Sequence, residues 1–379
     1  MSNIFIDSWN FIFKKIDIRK KIQDNKLFKG VDYVYHFAGI GDIVPSIEQP
    51  SNYMDTNVQG TVNVLEAARR AGVRKFVYAA SASCYGKTIN LVDEKTKISL
   101  EHPYALSRYL GERAVFHWHK VYGLPVNSIR IFNAYGPRVR TTGAYGAVIG
   151  VFFKQKISNK PLTIVGTGKQ SRDFVHVTDV AKAFYQASIT KKVGEVFNIG
   201  TGKPQTVNTL AKLIGGKKIR IPDRPGEPMK SCANISKAKK FLKWKPEVTF
   251  KIGIKEMLKE INNWKDAPLW TPKKIKNGVI KKPPPTPNKP ERTPTSALSK
   301  RISIGLTKTS AIGKKTSILN KTSCKTYLNV KKVPTKITPQ QAAIAEKIPV
   351  LIKVVLLLVL FWNIFIFERC IYISSIHPV

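Results

Sequence analysis

The sequence predicts an α/β protein with a doubly wound parallel sheet, and two observations lead to that fold class. Short apolar runs alternate along the chain with helical patterns, and three of these runs (VDYVYHFAG, KFVYAASA and VNSIRIFNAYG) end in small or polar residues. Such a run is typical of a buried parallel strand that leads into a turn. Since ligands of open α/β sheets bind beyond the carboxyl ends of strands, the stretches HFAG, AASAS and IFNAYGPR are candidate sites.

Residues 1–140 contain the predicted elements of the main sheet. Strand, helix, strand, helix and strand follow one another at 31–39, 52–70, 75–82, 104–122 and 126–136. The first of these helices has four apolar residues on one predicted face: Val58, Val62, Leu65 and Ala68. Gly72 stands where its cap is expected, and Gly123 ends the second helix.

Residues 141–268 are predicted to form a smaller α+β lobe, because the alternation loosens there. A helical run (GAVIGVFFKQKI) precedes two strand, glycine-turn and helix patterns, and Thr206 is a predicted N-cap in the second. The amphipathic run KIGIKEMLKEINNW is the last predicted helix. Some segments of this lobe are expected to return to the main sheet.

Residues 269–347 differ in composition and predict a disordered basic linker. The chain has a formal net charge of +40, from 64 basic and 24 acidic residues among its 379, and this linker is proline-rich and lysine-rich. It lacks interleaved aromatic residues and any recognition module, so no specific nucleic-acid partner is predicted.

Residues 348–367 (IPVLIKVVLLLVLFWNIFIF) approach the roughly 20 apolar residues that span a bilayer. Two interpretations stay open. This segment is a transmembrane helix that tethers a cytoplasmic domain, with the basic run on the cytoplasmic side, or residues beyond about 270 are a non-native extension. The four scattered cysteines form no CxxC pair, which fits a reducing compartment such as the cytoplasm.

Ser81, Tyr104 and Arg108 form a candidate proton-transfer group. Ser81 lies at a predicted strand end, while Tyr104 and Arg108 are four residues apart and share one helix face. A phenol titrates at about pH 10 in isolation, and a neighbouring cation favours its phenolate. These residues suit acid/base work on a substrate hydroxyl. The histidines show no metal-ligand spacing, so no metal site is predicted.

Together with their order along the chain, these motifs resemble the extended short-chain dehydrogenase/reductase family. The resemblance covers residues 15–265 and is closest to the NAD-dependent nucleotide-sugar epimerase/dehydratase branch, which includes UDP-galactose 4-epimerase. It rests on HFAG, DTNVQGT, CYG, YxxxR, RIFNAYGPR, QSRDFVHVTDV, NIGTG and RPGE. Any one of these motifs alone would be a weak signal.

The resemblance implies NAD as cofactor, a nucleotide sugar as substrate and a homodimer formed through helices 52–70 and 104–122. Its catalytic residues would be Ser81, Tyr104 and Arg108, with Arg108 in the place of the family's lysine that contacts the nicotinamide ribose. The implied cofactor contacts are Asp17, Ile18, Phe37, Ala38, Gly39, Asn57, Tyr104, Arg108 and Phe132. The implied substrate contacts are Ser81, Asn133, Arg172, Arg224 and Glu227.

The sequence departs from the family pattern in two places. No GxGxxG or GxxGxxG loop precedes Asp17, so the expectation is a Rossmann-like sheet, truncated at its N-terminal side, that lacks its first βα unit. The family's YxxxK reads YxxxR here, which keeps the positive charge but changes the shape of the donor group.

Three functions therefore stay open. The leading one is a UDP-hexose 4-epimerase that oxidises a sugar hydroxyl transiently, with Tyr104 as base. A 4,6-dehydratase or decarboxylase of the same fold is the second, although Ala82 and Ser83 stand where dehydratases have Asp-Glu. The third is a catalytically inactive truncated homologue, which the missing loop and Arg108 suggest.

Overall fold

The computed structural model of this chain describes residues 14, 16–23, 25–88, 91–141, 148–223 and 229–269. Its main sheet has four parallel strands in the order β1-β2-β3-β8. The bounds are β1 Tyr33–His36, β2 Lys75–Ser81, β3 Val126–Ile131 and β8 Glu195–Ile199. The predicted parallel sheet is thus confirmed, and its strands are the buried apolar runs of the sequence.

Nine α-helices are found in the described residues; some cover the two faces of this sheet, and others belong to the smaller lobe. In chain order they are α1 Ile43–Glu48, α2 Pro50–Met54, α3 Gly60–Arg70, α4 Pro103–Tyr122, α5 Val148–Ile157, α6 Val177–Ile189, α7 Val207–Ile214, α8 Ser236–Leu242 and α9 Phe250–Lys259. Short 3₁₀ turns occupy Asn25–Phe28, Ala82–Tyr85 and Ile261–Trp264, and a π-helical turn occupies Asp55–Gln59.

The alternation of side chains along β2 separates two cores. Val77 and Ala79 face one core, in which α6 and α8 contribute Phe184 and Leu242. Phe76 and Tyr78 face the other, which contains side chains of α3 and α4 such as Val64, Leu65 and Val115. Because successive strand residues point to opposite faces, this pattern is that of a doubly wound sheet.

The smaller lobe has a core of its own. Strand β5 (Leu162–Val165) pairs in parallel with β10 (Lys218–Ile221). Helices α5, α7 and α9 pack around this pair through Phe152, Leu210, Ile254 and other buried residues. Two short pairs, β4 (Asn133–Tyr135) with β7 (Phe174–His176) and β6 (Ser171–Arg172) with β9 (Gln205–Thr206), connect the lobe to the sheet.

The structure corrects the prediction of one continuous helix over residues 52–70. The predicted helix 52–70 is divided into α2, the π turn and α3, and Val58 and Val62 are only half-buried. The main buried face is Thr61, Val64, Leu65 and Ala68, because the π turn shifts the helical phase. Within the range 141–268, helix α6 packs against the main sheet and β8 is its fourth strand.

The predictions for the C-terminal part fall outside the structure described here. The basic linker, apart from residue 269, and the apolar segment 348–367 lie beyond the described residues. Within the described residues, every helix is too short or too polar to cross a bilayer.

Candidate active site

The carboxyl ends of β1, β2 and β3 lie side by side in the sheet. His36 of β1 is opposite Tyr78 of β2, and Ser81 of β2 is opposite Ile131 of β3. The residues that follow each strand therefore meet at one edge, where a ligand of a doubly wound sheet binds. This edge includes most of the predicted site residues.

Ser81 is the last residue of β2 and the N-cap of the 3₁₀ turn Ala82–Tyr85. Its Oγ accepts a hydrogen bond from the backbone N–H of Ser83, at 3.2 Å. This bond fixes the position of Oγ and leaves the hydroxyl proton available for donation. The side chain is half-buried at the end of the strand.

Tyr104 lies in the first turn of α4, behind Pro103. His102 caps this helix by accepting a hydrogen bond from the N–H of Ala105 at Nδ1, at 3.1 Å. Burial lowers the pKa of His102 to about 4, so its ring is neutral near pH 7. That ring is parallel to the Tyr104 ring at 5.9 Å, while the Tyr53 ring stands edge-on to Tyr104 at 6.3 Å.

Arg108 is one turn further along α4 and is almost completely buried. Its guanidinium donates a hydrogen bond to the carbonyl oxygen of Ala79, two residues before Ser81. It also lies 5.1 Å from the centre of the Tyr78 ring and fills the space where Gly39 has no side chain. Because Arg108 fastens α4 to β2, Tyr104 and Ser81 are held at the same edge of the sheet.

The loop after β1 is held mainly by buried side chains. Asn57 accepts from the N–H of Ile40 at 2.8 Å, donates to its carbonyl oxygen at 3.0 Å and donates to Ser107 at 2.9 Å. The ring of Phe37 packs on Phe184 with centroids 4.3 Å apart. Asn57 therefore shapes the loop, and Phe37 turns its ring into the core, so cofactor contacts from either residue stay predictions.

Asp17 and Ile18, which the resemblance assigns to the adenine side, are anchored to the protein. The Asp17 carboxylate pairs with Arg19 at 2.6 Å. The Ile18 side chain is fully buried beside Gly60, and its carbonyl oxygen accepts from Asn63 at 2.7 Å. Ile18 thus contributes its side chain to the core, and contact with adenine stays a prediction for both residues.

Two of the candidate substrate-binding residues, Asn133 and Arg172, lie beside Asp173, which is fully buried. One Asp173 oxygen accepts from the N–H and hydroxyl of Thr201, at 2.7 and 2.5 Å, and the other accepts from the N–H groups of Gly202 and Ala233, both at 2.9 Å. The N–H of Asn133 donates to the Asp173 carbonyl oxygen at 3.0 Å. Arg172 precedes Asp173 and is half-buried, so this carboxylate organises the segments beside Asn133 and Arg172.

Of the four remaining predicted residues, the structure describes Ala38 and Phe132. Ala38 and Phe132 are buried at the ends of β1 and β3. The Phe132 ring lies 6.4 Å from that of Tyr85. Arg224 and Glu227 lie outside the described residues. In the described part of the chain, no three His, Cys, Asp or Glu residues are grouped to hold a metal ion.

A buried polar network supports the turn that follows Ser81. Glu112 of α4 binds Arg130 of β3 through two contacts of 2.5 and 3.0 Å. Arg130 donates to the hydroxyl of Tyr85 at 2.8 Å, and that hydroxyl is 2.7 Å from Oδ1 of Asn198 on β8. The network therefore connects α4, β3 and β8 to the turn that begins at Ser81.

Sequence reasoning missed Asp173, Glu112 and an ion pair between Asp42 and Arg140. Asp173 could have been singled out from the sequence, because it follows Arg172 in the RDFVHV motif. Asp42 and Arg140 are distant in sequence and have no shared motif. Their proximity depends on the path of the chain.

The sequence profile of the NAD dependent epimerase/dehydratase family matches residues 5–200, just over half of the chain. The chain belongs to this family. The predicted resemblance to NAD-dependent nucleotide-sugar epimerases and dehydratases is thereby confirmed, and NAD is the cofactor of this enzyme family.

Similar proteins agree with that assignment. The UDP-glucuronate 4-epimerase of Thermodesulfobacterium geofontis is 34% identical over 279 residues, 71% of this chain and 84% of the relative. The UDP-glucose 4-epimerase of Thermotoga maritima, solved with UDP-glucose, has a TM-score of 0.63 and 29% identity, with 67% of this chain and 85% of that chain covered. The UDP-glucuronic acid 4-epimerase of Bacillus cereus, solved with UDP-glucuronic acid and NAD, has a TM-score of 0.59 and 32% identity, with 65% of this chain and 80% of that chain covered.

The described residues fit the nicotinamide end of NAD. Ser81, Tyr104 and the main chain at Gly39 stand at the strand ends where such a ring and ribose would lie. The described part ahead of β1 has a 3₁₀ turn at Asn25–Phe28 and no strand, glycine turn and helix for the pyrophosphate. The fit therefore applies to one half of the cofactor.

Proposed function

We propose that this protein is a UDP-hexose 4-epimerase, which inverts a sugar carbon through a transient 4-keto intermediate. The observation that carries the proposal is the arrangement of Arg108, which binds α4 to β2 so that Tyr104 and Ser81 share one edge of the sheet. The similarity to 4-epimerases that act on UDP-sugars supports the substrate class.

In the proposed reaction, Tyr104 and Ser81 act on the 4-hydroxyl of the sugar. The Tyr104 oxygen accepts the hydroxyl proton, and the Ser81 hydroxyl, fixed by the Ser83 N–H, donates to the same sugar oxygen. NAD, when bound, would supply the hydride chemistry at carbon 4. The site must leave the 4-keto sugar room to turn over, and Tyr104 then returns the proton to the sugar oxygen.

The rest of the site would hold the nucleotide. Arg172 and Asn133 lie beside Asp173. The planar guanidinium of an arginine suits a diphosphate because it donates two parallel hydrogen bonds. Tyr53 and His102, packed around the Tyr104 ring, limit water at that face. A homodimer through the segments 52–70 and 104–122 is part of the proposal, and the molecular mass of the protein in solution shows whether the dimer forms.

The two residues that follow Ser81 in the sequence favour epimerisation over 4,6-dehydration, because neither is a carboxylate. Elimination of water from carbons 5 and 6 needs an acid and a base next to the 4-keto group. The two residues after Ser81 are Ala82 and Ser83, neither of which titrates near neutral pH. A 4-keto-6-deoxy product would overturn this distinction.

The deciding experiment is turnover by the purified full-length protein. With NAD present, UDP-glucose and UDP-galactose should interconvert, as measured by ion-exchange chromatography of the nucleotide sugars. Tyr104→Phe should lower kcat by at least about 100-fold, because proton transfer is lost while the ring remains. Failure of the wild-type protein to bind NAD or turn over either sugar would favour the inactive homologue.

A further inference from the structure

Two runs of three consecutive residues meet at one ion pair, on the side of the site where Tyr104 lies. The first run, Ile40–Asp42, follows β1. The second, Val139–Thr141, follows β4 and leads towards the smaller lobe. The guanidinium Nη2 of Arg140 lies 3.9 Å from Oδ2 of Asp42.

The first run is anchored on the cofactor side of the site. Asn57 binds both backbone groups of Ile40, and the hydroxyl of Tyr53 donates to the carbonyl oxygen of Gly41 at 2.8 Å. The Tyr53 ring is the one that stands edge-on to Tyr104. A shift of this run would therefore also move the Tyr53 ring that packs against Tyr104.

The second run is anchored in the smaller lobe. The indole of Trp264 donates to the carbonyl oxygen of Val139 at 3.0 Å, and Thr141 donates to that of Pro268 at 2.8 Å. The carbonyl of Arg140 lies directly against Gly150 of α5, where no side chain would fit. This run is therefore fixed to the smaller lobe, which also contains Arg172.

The backbone of Asp42 has a conformation that would suit glycine better than aspartate. Asp42 has φ 97° and ψ 138°, a conformation that side-chain-bearing residues rarely adopt and that glycine adopts easily. Its Oδ1 caps α1 by accepting from the N–H of Ile43 at 2.8 Å. Glycine is also an acceptable N-cap, so the cap alone does not explain an aspartate here. The ion pair to Arg140 is the contact that glycine could not replace.

We propose that Asp42 and Arg140 form a latch that holds the smaller lobe against the loop after β1, and that this latch sets the affinity for the nucleotide sugar. At 3.9 Å the two charged groups attract each other without a short hydrogen bond, and a partly exposed pair of this kind is weak. The pair can therefore separate when the substrate enters and form again when it is bound. Both are positioning residues. The proposal rests on the proposed function for its substrate, but the contact itself does not.

The test compares four variants of the full-length protein. Asp42→Asn keeps an oxygen for the cap and a residue type that tolerates positive φ, but removes the charge. Arg140→Gln removes the partner charge, and the double variant removes both. Glu195→Gln is the matched control, because it breaks the partly exposed pair with Lys237 at the amino end of β8, away from the site.

The latch predicts that KM for the UDP-sugar rises about threefold to tenfold in Asp42→Asn and in Arg140→Gln, with kcat nearly unchanged. The double variant should be no worse than either single variant, and Glu195→Gln should match the wild type. A further variant, Asp42→Gly, separates the effect on KM from the effect on stability. It should raise KM without lowering the melting temperature, because glycine adopts the positive φ at this position without strain. Additive single effects, or an unchanged KM, would overturn the latch.

Hydrogen exchange tests the contact without any turnover. Amides of 40–42 and 139–141 should exchange faster in Asp42→Asn than in the wild type, while Glu195→Gln leaves them unchanged. If the wild type proves inactive but this exchange pattern appears, the proposed function fails and the contact stands. If exchange in both runs is unaffected, the latch is wrong whatever the activity.

Discussion

The guanidinium of Arg108 donates to the carbonyl oxygen of Ala79 and occupies the space that a side chain on Gly39 would need. This places a positive charge between the ends of β1 and β2, beneath the edge where Tyr104 and Ser81 lie. The family's lysine at this position contacts the nicotinamide ribose. The arginine found here instead has a structural partner inside the protein, and its contact with a ribose stays a prediction.

Gly39 and Arg108 should therefore be coupled energetically. Gly39→Ala places a methyl group against the guanidinium and should destabilise the protein by about 1–3 kcal/mol. Arg108→Ala vacates the space, so the double variant should be more stable than the sum of the single effects by about 0.5–3 kcal/mol. Urea unfolding of the four proteins measures this coupling. Strict additivity would mean that the two residues do not compete for the same space.

Glu112→Gln should be strongly destabilising, because it leaves the guanidinium of Arg130 buried without its carboxylate. The expected loss is about 3–5 kcal/mol in the free energy of unfolding. Replacing both partners, as in Glu112→Leu with Arg130→Met, should recover at least half of that loss, since no buried charge remains. Equilibrium urea unfolding is the measurement. A double variant as unstable as the two losses combined would contradict this account of the pair.

Asp173→Asn should loosen the candidate phosphate-binding region. If the amide nitrogen takes the place of Oδ2, it faces the N–H groups of Gly202 and Ala233, which then lose their acceptor. The loss of these two hydrogen bonds should lower the free energy of unfolding by about 3 kcal/mol. KM for the UDP-sugar should rise with it, because the segments that contain Thr201 and Ala233 lose their common anchor. Thr201→Val, which removes one donor, serves as the comparison and should cost less. Equal losses in the two variants would show that the carboxylate is not the centre of the cluster.

Stability should fall with acid below about pH 6.5. Burial and the charge of Arg108 lower the pKa of His36 from 6.5 to about 3, and burial lowers that of His176 to about 4. Because the unfolded state binds these protons first, stability is complete above about pH 6.5. It is lost at about 1.4 kcal/mol per pH unit for each group, down to about pH 4 for His176 and about pH 3 for His36.

The check is a set of urea midpoints between pH 7.5 and 4, with His36→Asn as the variant. The Thr61 hydroxyl donates to the carbonyl oxygen of Asn57 at 2.7 Å, so His36 donates from Nε2 to Thr61, at 2.9 Å. An asparagine amide also donates, while it cannot take up the proton. The variant should therefore show a shallower pH dependence, and identical slopes would remove His36 from this account.

The sequence was sufficient for the strands and for the edge where the site lies. VDYVYHFAG and KFVYAASA are continuous apolar runs, and such runs form strands that are covered on both faces. For the same reason the sequence alone predicts that Ser81 and the start of α4 lie at the same edge of the sheet. The role of Tyr104 as a base, which the sequence suggested from its spacing to Arg108, stays a prediction, because the Arg108 guanidinium contacts Ala79 and the Tyr78 ring.

What the sequence did not reveal depends on contacts between distant segments. Arg108 turns inward because Gly39, about seventy residues earlier, leaves a space for it. Phe37 turns its ring away from the edge because Phe184 receives it from α6. Asp173 collects donors from residues 201–233, and no local pattern predicts which N–H groups a carboxylate will meet.

The order β1-β2-β3-β8 also has a consequence for synthesis on the ribosome. Strands β1 to β3 and their helices are complete once Ile131 has emerged, but the partner of β3 is made only after residues 132–194. At about 5–20 residues per second, the free edge of β3 waits for several seconds. During that time Asn127, which later binds the carbonyl oxygens of Ala187 and Lys192, has no such partners. This edge of the nascent chain is where a chaperone would be most needed, and where slowed translation would be most costly.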